Sequence, residues 1–185
     1  ITLPSSLRAI GQDAFYGCKA LTEVSLPETT DSIGNQVFYG CRALTSATLS
    51  ENLRHIPLSA FNGCSALQAI HIPGSVEKIN SGAFSGCTSL ADVRIDNGVE
   101  MITGGAFRNC TALTRISLPA SVRKFYESSF EDCEALEGVD VDPDNSAYAS
   151  LHGAVFNKQL TELVFVPRGI AAIEIPATFE GTLPR

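Results

Sequence analysis

The sequence predicts an α/β solenoid, with a parallel sheet on one face, short helical turns on the other and a hairpin insert towards the C-terminus. Three observations carry this expectation. Cys18, Cys41, Cys64, Cys87, Cys110 and Cys133 recur at a constant step of 23, each with a phenylalanine three positions before it and a leucine three after. After each leucine, apolar and polar residues alternate. From Asp142 the period fails. A strict repeat means that equivalent residues stack, because one unit alone cannot bury its apolar face.

The alternating segments hold Val24 and Leu26, Ala47 and Leu49, Ile70 and Ile72, Val93 and Ile95, Ile116 and Leu118, and Val139 and Val141. A period of two over so few residues marks a short strand with one buried face, and successive strands of one polarity pair in parallel. Pro27, Pro73 and Pro119 close three of these strands, since proline has no N–H for further pairing. A second apolar pair follows, as in Leu7 and Ile10 or Leu53 and Ile56, with Thr30 as the polar substitute in its first column.

Between that pair and the cysteine lies a stretch such as Gly11 to Gly17, long enough for one or two helical turns under the phenylalanine. Gly17, Gly40, Gly63 and Gly86 share a column with Asn109 and Asp132. These residue types tolerate the left-handed conformation that ends a helix, so the column reads as a C-cap with positive φ at Asn109 and Asp132.

Beyond Asp142 the step between matching strand ends, from Val141 to Ile175, is 34 instead of 23. Ala154 to Phe156 and Leu163 to Val166 read as a hairpin. The single domain over 1–185 is therefore divided into six regular repeats (1–142), a hairpin insert or cap (143–171) and a shortened terminal repeat (172–185). The insert is expected to cap the solenoid or to bridge to further repeats.

The chain has 185 residues, 44% of them hydrophobic, and a formal charge of −7 with 13 scattered Lys and Arg. That argues against nucleic acid and anionic lipid as partners. No apolar run reaches the roughly 18 residues of a membrane span, so a soluble chain without direct membrane insertion is expected. The pattern is already under way at Ile1, which suggests a processed protein or an excised piece, with any export signal or anchor outside it.

Little in the sequence points to site chemistry, and neither a catalytic residue nor a cofactor is expected. Each cysteine is alone in its unit, which does not suit zinc, and equivalent positions on stacked rungs point the same way, which does not suit disulfides. A ladder of buried thiols packing as small apolar side chains is expected instead. Asp140, Asp142, Asp144 and Asn145 superficially suggest a calcium loop, but Asn145 and Leu151 stand where glycine and glutamate are required, and Pro143 interrupts. The histidines, His55, His71 and His152, show no partner at catalytic spacing. His71 stands beside Arg94 of the next rung, a cation that disfavours protonation of its ring.

The outward strand positions form two columns: Glu23, Ser46, Ala69, Asp92, Arg115 and Gly138, and Ser25, Thr48, His71, Arg94, Ser117 and Asp140. These, Gly138 excepted, are the candidate binding surface, since adjacent rungs present side chains at fixed spacing. Asp92 is expected diagonally near Arg115, as a surface ion pair of small worth. Tyr16 and Tyr39 share a column on the opposite side and read as partly buried packing, with a second aromatic patch as the alternative.

The units resemble the BspA-type (Treponema-type) leucine-rich repeat, through Leu7, Ile10, Ala14, Phe15, Gly17, Cys18, Leu21, Val24, Leu26 and Pro27 and their equivalents to about residue 142. The stretch with Asn145, Tyr148, Gly153, Val155, Phe156, Asn157, Lys158, Leu163, Pro167 and Gly169 resembles an insert often found in that family. The resemblance implies a right-handed leucine-rich-repeat superhelix in a bacterial cell-surface or secreted protein. It also implies adhesion to a host or bacterial surface protein through the sheet face, as for some members. A structural spacer or display scaffold without a ligand, and a glycan-binding module, remain as alternatives. An enzyme would need a convergent pocket, for which the repeat offers no evident place outside residues 143–171.

Overall fold

The computed structural model describes residues 1–172. Two short strands recur in each turn of chain. In order they are β1 (Ala9–Ile10), β2 (Glu23–Ser25), β3 (Ser32–Ile33), β4 (Ser46–Thr48), β5 (His55–Ile56) and β6 (Ala69–Ile72). The series continues with β7 (Lys78–Ile79), β8 (Asp92–Ile95), β9 (Met101–Ile102), β10 (Arg115–Leu118), β11 (Lys124–Phe125) and β12 (Gly138–Val141). Most strands pair in parallel with their equivalents one period along, as Val24 with Ala47, Ile70 with Val93 and Ile79 with Ile102, with breaks between β3 and β5 and between β8 and β10. Over the described residues the result is a parallel β-solenoid of six turns, with the even-numbered strands β2 to β12 on one face and the odd-numbered strands β1 to β11 on another.

Inward residues of every rung merge into one core. Val24, Leu26, Ile70, Ile72, Ile116 and Leu118 are buried, as are Phe38, Phe61, Phe84, Phe107 and Phe130. The phenylalanines stack face to face from Phe15 to Phe130, with centroids 5.1 to 5.8 Å apart. Thr30 is buried in its apolar column and stays satisfied by donating to the Leu7 carbonyl one rung earlier (3.0 Å).

The expected helical face is not there, and the α/β expectation becomes an all-β one. Among the described residues there is no α-helix, only a 3-10 turn at Glu127–Phe130. An α-helix directs every N–H to a carbonyl four residues back. Here alternate N–H groups leave the rung: Asp13 donates to Asn35, Phe15 to Val37 and Gly17 to Tyr39, at 3.1, 2.8 and 2.7 Å. The groups between them turn back locally, Tyr16 to Asp13 and Cys18 to Phe15. Inter-rung bonding thus takes the donors that a helix needs.

This alternation requires left-handed residues. Asn109 and Asp132 have φ of 57° and 60°, and the glycines of their column match them. They close tight turns, not helices. A second left-handed column stands four residues earlier, at Asp13, Gln36, Ser59, Gly82 and Gly105. Asp13, Gly82 and Gly105 hint at it in the sequence, while Gln36 and Ser59 do not.

Proline removes the last donor from two of the sheet ladders. The N–H of Asp96 reaches Ile72 O at 3.0 Å, and that of Asp142 reaches Leu118 O at 3.0 Å. The corresponding strand pairs, β6 with β8 and β10 with β12, are in register over four residues each. Pro73 and Pro119 occupy the same column without a donor. Each loses the last bond of its ladder; in these rungs β4 and β6 pair only at Ser46 and Ala69, and no ladder joins β8 to β10.

The segment expected to form a two-stranded hairpin folds as three antiparallel strands, β13 (Tyr148–Leu151), β14 (Ala154–Asn157) and β15 (Leu163–Phe165). It lies over the end of the main sheet. Val139 donates to Gly153 O and Val141 to Ser150 Oγ, both at 2.9 Å, so N–H groups that would meet a next rung are satisfied. Phe165 stands 5.7 Å from Phe130 and extends the aromatic column. Most of the shortened terminal repeat, including Ile175 and Phe179, lies outside the described residues.

Candidate functional site

Strand alternation turns one side chain in two outward, and all the candidate residues fall on the outer face of the main sheet. Glu23, Ser25, Ser46, Thr48, Ala69, Asp92, Arg94, Arg115 and Ser117 are exposed, and His71 and Asp140 half-buried. Gly138 is buried. The first three rungs are nearly neutral and small in side chain; charge is concentrated in the last three.

His71 and Arg94 are opposed in register, as expected. The intervening group is one that sequence reasoning missed. His71 Nε2 donates to Asp96 Oδ2 at 2.7 Å, and Arg94 Nε to Asp96 Oδ1 at 3.0 Å. A carboxylate therefore lies between the two, not a bare cation beside a ring. The hydrogen bond from His71, with Arg94 adding its charge, holds the Asp96 carboxyl below its ordinary range. The available signal was an acid at a position where Pro27, Pro73 and Pro119 stand in other rungs.

The expected pair of Asp92 with Arg115, which stand in one column and not on a diagonal, does not form. Arg115 turns the other way, its Nη2 and Nε reaching Asp140 at 2.6 and 3.1 Å. Gly138 makes this possible: a Cβ there would stand 2.9 Å from Arg115 Nη1. The guanidinium lies across the bare backbone of β12. Asp92 has no ion-pair partner among the described residues.

On the opposite side Tyr16 and Tyr39 stack with centroids 4.8 Å apart, and Tyr16 is 53% exposed. Tyr16 thus lies on the surface of the first rung, while Tyr39 beneath it is half-buried, so the pair combines an exposed ring with partly buried packing. His55 faces outward on β5, and His152 occupies the left-handed turn between β13 and β14.

The six cysteines are free thiols, with Cys18 exposed and the other five buried. Their role is more polar than expected. Cys41, Cys64, Cys87, Cys110 and Cys133 each donate to the phenylalanine carbonyl of the preceding rung, at 3.0 to 3.3 Å. Burial pushes the Cys41 thiol up to about 11 and Cys87 to about 12.

At the turn that superficially suggests a calcium loop, two side-chain oxygens accept local hydrogen bonds. Asp142 Oδ1 accepts from Asp144 N–H (2.8 Å), and Asn145 Oδ1 accepts from Ala147 and Tyr148 (2.9 and 2.8 Å). The buried Asn145 amide donates to Pro119 O and Val122 O, pinning the insert to the fifth and sixth rungs. Among the described residues no three metal-ligating side chains converge.

The family model for the BspA type leucine rich repeat region matches residues 1–103 and 59–181, with six copies. Among solved structures, the pneumococcal vaccine antigen PcpA superposes with a TM-score of 0.78 at 26% identity, over 86% of this chain and 40% of the antigen. A T. pallidum leucine rich repeat protein does so with a TM-score of 0.73 at 33% identity, over 88% of this chain and 71% of that one. A leucine rich cell surface protein of Faecalibacterium prausnitzii gives 0.66 at 27% identity, covering 90% and 52%. No curated protein matches the chain.

Proposed function

The chain belongs to the BspA type leucine rich repeat family, and on that premise we propose that it is a non-enzymatic protein-binding module of a bacterial cell-surface or secreted protein. The observation that carries this reading is the outer face of the main sheet, where successive rungs hold exposed side chains at fixed spacing on a stacked core. Two structural neighbours, an antigen and a cell surface protein, support the surface location. The face has no aromatic residue, so flat polar and ionic contact suits it better than glycan stacking.

The test is an array of matrix proteins and glycans probed with the purified chain and its Ala69→Trp variant. Ala69 is exposed at the centre of the face. A protein signal lost in the variant is expected. Absence of any signal, or one indifferent to the tryptophan, would leave a spacer as the better description.

A further inference from the structure

Two kinds of bonding stop at one line on the main sheet. The backbone ladder ends between β8 and β10, where Pro119 brings no donor. Side-chain ion pairs also stop there: His71 and Arg94 share Asp96 on one side, and Arg115 holds Asp140 on the other. Among the described residues of this face, no ion pair crosses the line.

Asp92 stands on it, exposed at the start of β8. Its column neighbour towards the C-terminus, Arg115, is drawn over Gly138 to Asp140; towards the N-terminus it has only Ala69 and Ser46. The face thus neutralises its own arginines and leaves this carboxylate without a counter-ion, next to a floor of small side chains. An anionic partner would have to displace a two-pronged bond at 2.6 and 3.1 Å to reach Arg115. A cationic one displaces nothing, and the chain's net charge of −7 favours its approach.

We infer that the strand face takes a cationic protein segment, with a lysine or arginine of the partner paired to Asp92 where the β8 and β10 ladders part. The inference rests on the sheet-face reading above and names the chemistry of its partner. Charge complementarity sets the encounter, and the small side chains of Ser46, Thr48 and Ala69 let an extended segment lie close.

The test titrates fluorescein-labelled deca-lysine and deca-glutamate into the whole chain, read by anisotropy at low and physiological salt. Deca-lysine should bind and deca-glutamate should not. Asp92→Asn should weaken binding about fivefold, the equivalent of about 1 kcal/mol. Glu100→Gln, which removes the same charge beside β9, should change it by less than about twofold. Equal weakening by both variants would reduce the effect to net charge and overturn the inference, as would binding of deca-glutamate or no binding at all. Loss of array binding in Ala69→Trp without any effect of Asp92→Asn sinks the charge assignment alone. Array binding that survives Ala69→Trp sinks the sheet-face reading itself.

Discussion

Cys64 Sγ donates to the carbonyl oxygen of Phe38, one rung earlier, at 3.1 Å. That oxygen also accepts the N–H of Cys41 (3.2 Å), so each inner phenylalanine carbonyl ties its own turn to the next. The thiol is small enough to stack at every rung and polar enough to satisfy a buried acceptor. This dual fit gives a physical reason for cysteine, and not alanine, in the column.

Native-state alkylation at pH 8 should therefore modify one thiol, Cys18, with five more reacting only after denaturation. Mass spectrometry reads the count. The thiols also predict an alkaline limit. Burial raises Cys41 and Cys87 from an ordinary 9.0 to about 11 and about 12. The folded state favours the protonated form, so its stabilisation is complete below pH 9 and is lost as pH rises from 9 towards 11 and 12. Melting temperature should fall across that window. A Tm that stays flat to pH 11 would contradict the burial of the ladder.

Gly138 should govern the Arg115–Asp140 pair. A double-mutant cycle on Arg115→Gln and Asp140→Asn should give a coupling of about 0.5 to 1 kcal/mol, typical of an exposed pair. In a Gly138→Val background the side chain would occupy the space of the guanidinium, and the coupling should vanish. Coupling of equal size in both backgrounds would mean that Arg115 reaches Asp140 by another route.

Asn145 should anchor the insert. Its amide makes four hydrogen bonds while buried. Asn145→Leu leaves those backbone groups unpaired and should cost about 2 to 4 kcal/mol in denaturant unfolding. Faster amide exchange at Val139 and Val141 should accompany it, because their acceptors belong to the insert. Slow exchange at both in the variant would show that the sheet end is closed by something else.

Pro119→Ser should join the two halves of the main sheet. It restores the N–H that Asp96 and Asp142 direct to Ile72 and Leu118 in the neighbouring rungs. The expected acceptor is Ile95 O. Exchange at Val93 and Ile95 should slow, even though losing proline costs about 0.4 to 1 kcal/mol through the unfolded chain. Unchanged exchange would separate the ladder gap from the missing donor.

Periodicity alone determined the rung length, the parallel pairing, the inward residues and the phenylalanine and cysteine columns. Each follows from burial repeated identically in every unit, and that is written along the chain. Positive φ at Asn109 and Asp132 was legible for a similar reason, since few residue types tolerate it. Tertiary structure decided the rest. Whether the stretch from Gly11 to Gly17 forms a helix depends on a contest between local carbonyls and those of the next rung, and only stacking settles it. Asp96 and Asp140 became the partners of His71 and Arg115 because exposed ion pairs differ by less than about 1 kcal/mol. Such small differences are decided by details such as the missing side chain of Gly138, which a repeat pattern does not rank. The place of Asn145 beneath the insert likewise depended on carbonyls of Pro119 and Val122, brought within reach only once the solenoid had stacked.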